Sequence, residues 1–141
     1  MMATNYKKIA VAIDFSEQSL KACERAVKLA KEYGATLQLV NVIDTKSFGA
    51  ITAYDLKYAE KLKAEHLTKI EKLRLEAQTA GVTEVLAVVE TGSPKSILTQ
   101  LPAVDLIVCG ATGLNQLEKM VIGSVAERIV RLATCDVLIV R

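Results

Sequence analysis

Residues 110–125 read Gly110-Ala-Thr-Gly113-Leu-Asn-Gln-Leu-Glu-Lys119-Met-Val-Ile-Gly123-Ser124-Val125. The apolar run Leu106-Ile107-Val108-Cys109 leads into this stretch and stops at Gly110. A helical pattern follows it. Glycine lets backbone approach a ligand closely. The N–H groups of a helix start lack partners within the helix and favour an anion. A strand ending in glycines, a loop and a Gly-Ser at a helix start together read as a phosphate-binding arrangement.

Working outward, each segment reads as part of a sheet that presents this loop. Residues 8–13 hold the continuous apolar run Ile9-Ala10-Val11-Ala12-Ile13. Continuity rather than alternation predicts a strand buried on both faces, as in a parallel sheet between helices. Asp14 and Phe15 follow, and Ser16 reads as a helix N-cap. Phe15 and Leu20 are placed to form a hydrophobic staple, and Leu20, Cys23, Val27 and Ala30 to continue one apolar face. Gly34 is a helix stop. A second strand is predicted over 36–43. Residues 44–54 read as a polar loop long enough to act as a mobile flap, with disorder as the plainer alternative. A long amphipathic helix over about 55–80 carries Ala59, Leu62, His66, Ile70, Leu73, Ala77 and Ala80 on one face, and Gly81 ends it.

The third strand is predicted over 82–90. Ser93 as N-cap and Pro94 at the first helical position open a short helix, which Pro102 closes. The fourth strand spans 104–109. Ser124 to Glu127 has the spacing of a capping box, and residues 136–141 form the fifth strand. Five strands alternating with four helices predict one α/β domain over 1–141: a doubly wound, Rossmann-like, five-stranded parallel sheet. Ligands in such folds bind beyond the carboxyl ends of the strands. Asp14, the end of the second strand, Glu90-Thr91-Gly92 and Gly110 fall at that edge.

Bulk properties narrow the partner class. The 141 residues carry a net charge of +2, with no long run of one sign and no Trp. That argues against nucleic acid as the main partner. No apolar run reaches the length of a membrane span. Cys23, Cys109 and Cys135 are far apart and odd in number, which points to reduced thiols rather than disulfides or a zinc site. Neither glycine site ends in Gly-Lys-Ser/Thr, so a Walker loop is excluded. The first strand ends in Asp14-Phe15-Ser16, so the dinucleotide fingerprint is excluded too. The pattern Gly-x2-Gly-x9-Gly-Ser is satisfied at Gly110, Gly113, Gly123 and Ser124.

On this pattern, with Asp14 after the first strand, Asn41-Val42-Ile43-Asp44 at the end of the second and Gly92-x-Pro94 before the third helix, the chain resembles the universal stress protein family, in particular its ATP-binding branch. The resemblance covers the whole chain. It implies an adenine nucleotide alpha hydrolase-like fold, ATP (or AMP or ADP) as ligand with Mg²⁺ or Mn²⁺ as companion, and a cytoplasmic stress-response regulator acting through a protein partner. By position, Ala12, Asp14 and Val42 would line the adenosine pocket. Gly110, Thr112 and Gly113 would approach the ribose and inner phosphates. Gly123, Ser124 and Val125 would hold the outer phosphates through N–H groups and the Ser124 hydroxyl. The ten steps from Gly113 to Gly123 extend to roughly 33 Å, ample to wrap a triphosphate. Many ATP-binding members carry His or Arg where Thr112 stands; here Lys119 is the one cation between the outer glycines.

Structural roles stand beside these. Ser124 can serve as a helix cap, Asp14 as a brace of the first helix start, Gly92 with Pro94 as turn chemistry, His66 as a half-buried packing residue and Cys109 as core. No catalytic residue or metal ligand is evident. Slow ATP hydrolysis, a receiver-type phosphoacceptor role and a nucleotide-free partner module are the other readings. The apolar segment Val137-Leu138-Ile139-Val140, as a sheet edge, would pair with its twin in a homodimer.

Overall fold

The computed structural model describes residues 5–44, 53–112 and 122–141, with backbone alone for 53–56. The flap over 44–54, Gly113 and Lys119 thus lie largely or wholly outside the described residues. The elements are β1 (Lys8–Ala12), α1 (Glu17–Tyr33), β2 (Thr36–Asp44), α2 (Ala53–Ala80), β3 (Val85–Gly92), α3 (Pro94–Thr99), β4 (Leu106–Gly110), α4 (Ser124–Leu132) and β5 (Asp136–Val140). All strands are parallel, in the order β3-β2-β1-β4-β5. This is the predicted α/β class.

The sheet's two faces explain the continuous apolar runs. Ile9, Val11 and Ile13 of the first run join a core with Ala22, Ala26 and Ala30 of α1 and Ile70 and Ala77 of α2. Ala10 points the other way, into a second core with Val40, Leu98, Ile107, Cys109, Ala126 and Ile129, beneath α3 and α4. Side chains alternate along a strand, so a strand covered on both faces must be apolar at every position. Val11, Leu37, Leu39 and Val108 are fully buried, each stabilising the fold by about 1.5–3 kcal/mol.

Chain order sets where a ligand can sit. β1 to β3 progress toward one edge, and β4 then returns to the far side of β1. The crevice beyond β1 and β4 is therefore the switch point of the sheet, where open α/β sheets bind ligands. β5 forms one edge, as expected for an apolar terminal strand.

Several local expectations are corrected. Leu20 is 37% exposed and off the buried face of α1, which is made by Ser19, Ala22, Cys23, Ala26 and Ala30. Ala80 is exposed, while Ile70 and Ala77 bury as expected. α2 begins at Ala53. β3 begins at Val85 rather than Val82. The Val82 N–H donates to the Ala77 carbonyl at 3.2 Å, closing α2 after Gly81, whose φ is 117°. β4 begins at Leu106 rather than Val104, with the preceding Asp105 N–H donating to the Lys8 carbonyl at 2.9 Å.

Candidate functional site

The start of α1 is a closed hydrogen-bond web. The Ile13 N–H donates to the Val40 carbonyl at 2.8 Å, the last bond before the chain leaves the sheet. Asp14 Oδ1 then accepts from the Ser16 N–H at 2.9 Å, and the Asp14 N–H donates to Ser19 Oγ at 3.3 Å. Ser16 Oγ accepts from the Ser19 N–H at 3.1 Å, and Ser19 Oγ donates to the Ser16 carbonyl at 3.1 Å. Ser16 is the N-cap, as expected. Asp14 thus braces this helix start with one oxygen. Between them Phe15 has φ 65°, a left-handed conformation uncommon for a bulky residue. Its ring and the His66 ring pack edge to face, with centroids 5.0 Å apart.

On β2, Asn41 is 1% exposed, and its Nδ2 donates to the Ile13 carbonyl at 2.7 Å. Its Oδ1 lies 2.9 Å from His66 Nδ1. The β1–β2 register ends at Ala12 opposite Val40. Val42 lies two residues further along β2, so by alternation its backbone N–H and C=O face the side on which β1 has turned away. Ala12 and Val42 are both half-buried beside the α3–α4 core.

The end of β4 and the start of α4 are tied together. The Ala111 N–H donates to the Val140 carbonyl at 3.0 Å, and the Gly123 N–H donates to the Ala111 carbonyl at 2.6 Å. Gly110 abuts α1: a Cβ there would lie 3.0 Å from Gln18 Cβ and 3.1 Å from the Gln18 backbone. Close packing of strand against helix is reason enough for this glycine. Gly92, with φ 147° and Ile97 against it, fits turn chemistry.

The capping-box reading at Ser124 does not hold. Gly123 is the N-cap of α4 and offers no side-chain bond; Ser124 is the first helical residue, and exposed. Glu127 makes the first helical bond, donating to the Gly123 carbonyl at 3.0 Å. The N–H groups of Ser124, Val125 and Ala126 precede that bond and have no acceptor within the helix. The Gly123 N–H, expected to face phosphate, is already engaged by Ala111. The Glu127 carboxylate pairs with Arg131 at 2.8 Å, instead of closing a capping box. The helix start therefore offers three adjacent backbone donors, a neighbouring hydroxyl and a dipole favouring an anion by about 0.3–1 kcal/mol. Thr112 is half-buried next to it.

Strand order and strand ends thus place Asp14, Gly110, Thr112, Gly123, Ser124 and Val125 at the carboxyl edge of the sheet, with Ala12 and Val42 on β1 and β2; Gly113 lies outside the described residues. His66 and Asn41 behave as sequence reasoning could not foresee. They are 25 positions apart, and no local pattern marks them as a pair. Burial pushes His66 below the usual histidine range, and Lys69 adds to this. Cys109 is core, as expected, and burial pushes its thiol up to about 11, which disfavours the thiolate needed for redox sensing. Among the described residues no helix is long and apolar enough to cross a membrane.

The chain matches the Universal stress protein family over residues 5–141. It is 44% identical over 142 residues to a Staphylococcus aureus protein named as a universal stress protein, covering 96% of this chain and 84% of that one. A Staphylococcus haemolyticus protein named likewise is 41% identical over 140 residues, covering 96% and 85%. Among solved structures, the universal stress protein UspA from Lactobacillus plantarum superposes with a TM-score of 0.88 at 25% identity, covering 99% of this chain and 100% of that one. A universal stress protein in complex with cAMP gives a TM-score of 0.74 at 28% identity, covering 98% and 99%. Sequence, fold and motif converge: the chain belongs to the universal stress protein family.

Proposed function

We propose that this chain binds an adenine nucleotide, with ATP as the leading candidate over AMP and ADP, and acts as a nucleotide-dependent stress-response regulator through a protein partner in the cytoplasm. One observation carries the proposal. The complete Gly110, Gly113, Gly123, Ser124 pattern ends on a helix whose N-cap is a glycine, so the Ser124 hydroxyl stands beside the first-turn N–H groups instead of capping them. The adenosine would lie against Ala12, Asp14 and Val42. Thr112 and Gly113 would face the inner phosphates, and Ser124 and Val125 the outer ones. Gly110 and Gly123 hold this edge together by packing and by the bond to Ala111. A solved relative that binds cAMP agrees with an adenine ligand in this family.

Backbone donors and a hydroxyl at a helix start bind anions, so the role proposed is binding rather than turnover. Mg²⁺ or Mn²⁺ would arrive with the nucleotide. A second copy of the chain is proposed to pair along β5, whose Val137, Leu138 and Ile139 are only half-buried at the sheet edge. The exposed Val130 and Leu132 of neighbouring α4 would extend that surface. A stable monomer at micromolar concentration in size-exclusion chromatography would overturn the dimer.

Mass spectrometry of ligand released from freshly purified protein tests the nucleotide directly. Co-purified ATP, ADP or AMP is expected. Protein that is empty and also gives no heat on calorimetric titration with any of the three would overturn the proposal. Sustained phosphate release with Mg²⁺ or Mn²⁺, lost in Gly123→Val, would replace binding by hydrolysis.

A further inference from the structure

We infer that His66 is a positioning residue for the nucleotide site, holding the turn that carries Asp14 from both sides; this rests on the proposed nucleotide reading. On one side stands a chain of hydrogen bonds. His66 Nδ1 meets Asn41 Oδ1 at 2.9 Å, and Asn41 Nδ2 reaches the Ile13 carbonyl at 2.7 Å. On the other side the His66 ring packs edge-on against Phe15 at 5.0 Å. Lys69, one turn further along α2, places Nζ 5.3 Å from the centre of the same Phe15 ring. Residues 13 and 15 are therefore both fixed from α2, and Asp14 stands between them.

The chemistry of the chain of bonds has one solution. A carbonyl oxygen only accepts, so the Asn41 nitrogen must face Ile13. Asn41 Oδ1 then faces His66, and His66 must carry its proton on Nδ1. Asn41 is 1% exposed, so without the histidine its oxygen would stay buried and unsatisfied. The turn also needs holding. Phe15 sits at φ 65°, a conformation that persists in a bulky residue only where its surroundings enforce it. Asn41 at the Ile13 carbonyl ends the β1–β2 pairing, and His66 against Phe15 secures the left-handed step that follows.

Two variants separate positioning from packing. His66→Phe keeps a ring against Phe15 and removes the donor. His66→Asn restores a donor close to the position of Nδ1. With the full chain, His66→Phe is expected to weaken ATP binding about tenfold in calorimetry and to shift the amide NMR signals of Asp14 and Ser16 in the nucleotide-free protein. His66→Asn is expected to return the affinity to within about threefold of wild type. Nitrogen NMR of the unaltered protein should show neutral His66 protonated on Nδ1, a readout that needs no variant to fold. A proton on Nε2 would overturn the inference. So would a folded His66→Phe that binds ATP as wild type does and leaves both amides unmoved, or equal losses of affinity in the two variants. If wild type binds no ATP, the nucleotide reading fails on its own, and the amide shifts decide whether His66 holds the turn.

Discussion

α1 and α4 both start at the carboxyl edge of the sheet, next to strands that are direct neighbours, yet they start differently. At α1 the third first-turn donor is taken by a side chain: Ser16 Oγ accepts from the Ser19 N–H, Asp14 takes the N–H of the cap residue Ser16 itself, and Ser16 and Ser19 are 8% and 4% exposed. At α4 the cap is a glycine and Ser124 is exposed. The short helix α3 follows the α1 pattern, with Ser93 accepting from the Ser96 N–H at 3.4 Å. A serine beside a helix start can therefore close it or leave it open, and its place relative to the cap decides which. A side-chain cap takes one first-turn donor and stabilises the fold, whereas a glycine cap leaves that donor for another acceptor.

The largest effect should come from breaking the contact between the end of β4 and α1. Gly110→Ala would press a Cβ against the Gln18 backbone, costing about 1–3 kcal/mol by overpacking. A lowered denaturation midpoint is expected, with ATP affinity falling alongside it because α1 and Asp14 are displaced. An unchanged midpoint would show that α1 can yield there. Next, Ser16→Ala should remove about 1 kcal/mol of stability by opening the closed cap. The matching change at the open start, Ser124→Ala, should alter stability by less than about 0.5 kcal/mol and weaken ATP binding severalfold. Equal stability losses in the two serine variants would erase the distinction between the helices.

The smallest effect lies at the opposite edge and serves as a control. The Tyr6 hydroxyl donates to Asp136 Oδ2 at 2.6 Å, and this bond, followed by burial, holds its pKa up at about 12 against an ordinary 10.0. A raised folded pKa means that the stabilisation is fully present below about pH 10 and is lost as pH rises through about 12. Tyr6→Phe should melt slightly lower than wild type at pH 8, with the difference closing between those two values. ATP affinity should not change. A shift in affinity would mean that the two edges are coupled.

Much of the fold could be read from residues alone, because apolar continuity reports burial on both faces and Ser16, Gly34, Gly81 and Ser93-Pro94 mark helix ends by their backbone chemistry. Boundaries moved where a residue serves the neighbouring element, as Val82 does in closing α2. Leu20 was misplaced because helical spacing admits it to the apolar face, although smaller Ser19 and Ala22 make the contact. The glycine motif was legible as a pattern, but the work of its members was not. Gly110 is explained by Gln18, which lies far off in sequence, and Gly123 by its cap position and its bond to Ala111. The Asn41–His66 pair leaves no local trace at all, since it forms only once α2 lies on β2.

The most direct measurement is a calorimetric titration of wild type and Gly123→Asp with ATP, beside thermal melts of both. Gly123 has φ −65° and ψ 156°, which any residue adopts, and aspartate is a favoured N-cap at the positive end of a helix. The variant closes α4 as α1 is closed. It should melt no lower than wild type and bind ATP at least about tenfold more weakly, since its carboxylate takes the donors and repels phosphate. Binding as tight as wild type in Gly123→Asp, or no binding of ATP, ADP or AMP by wild type, would contradict the claim that the open start of α4 holds the nucleotide.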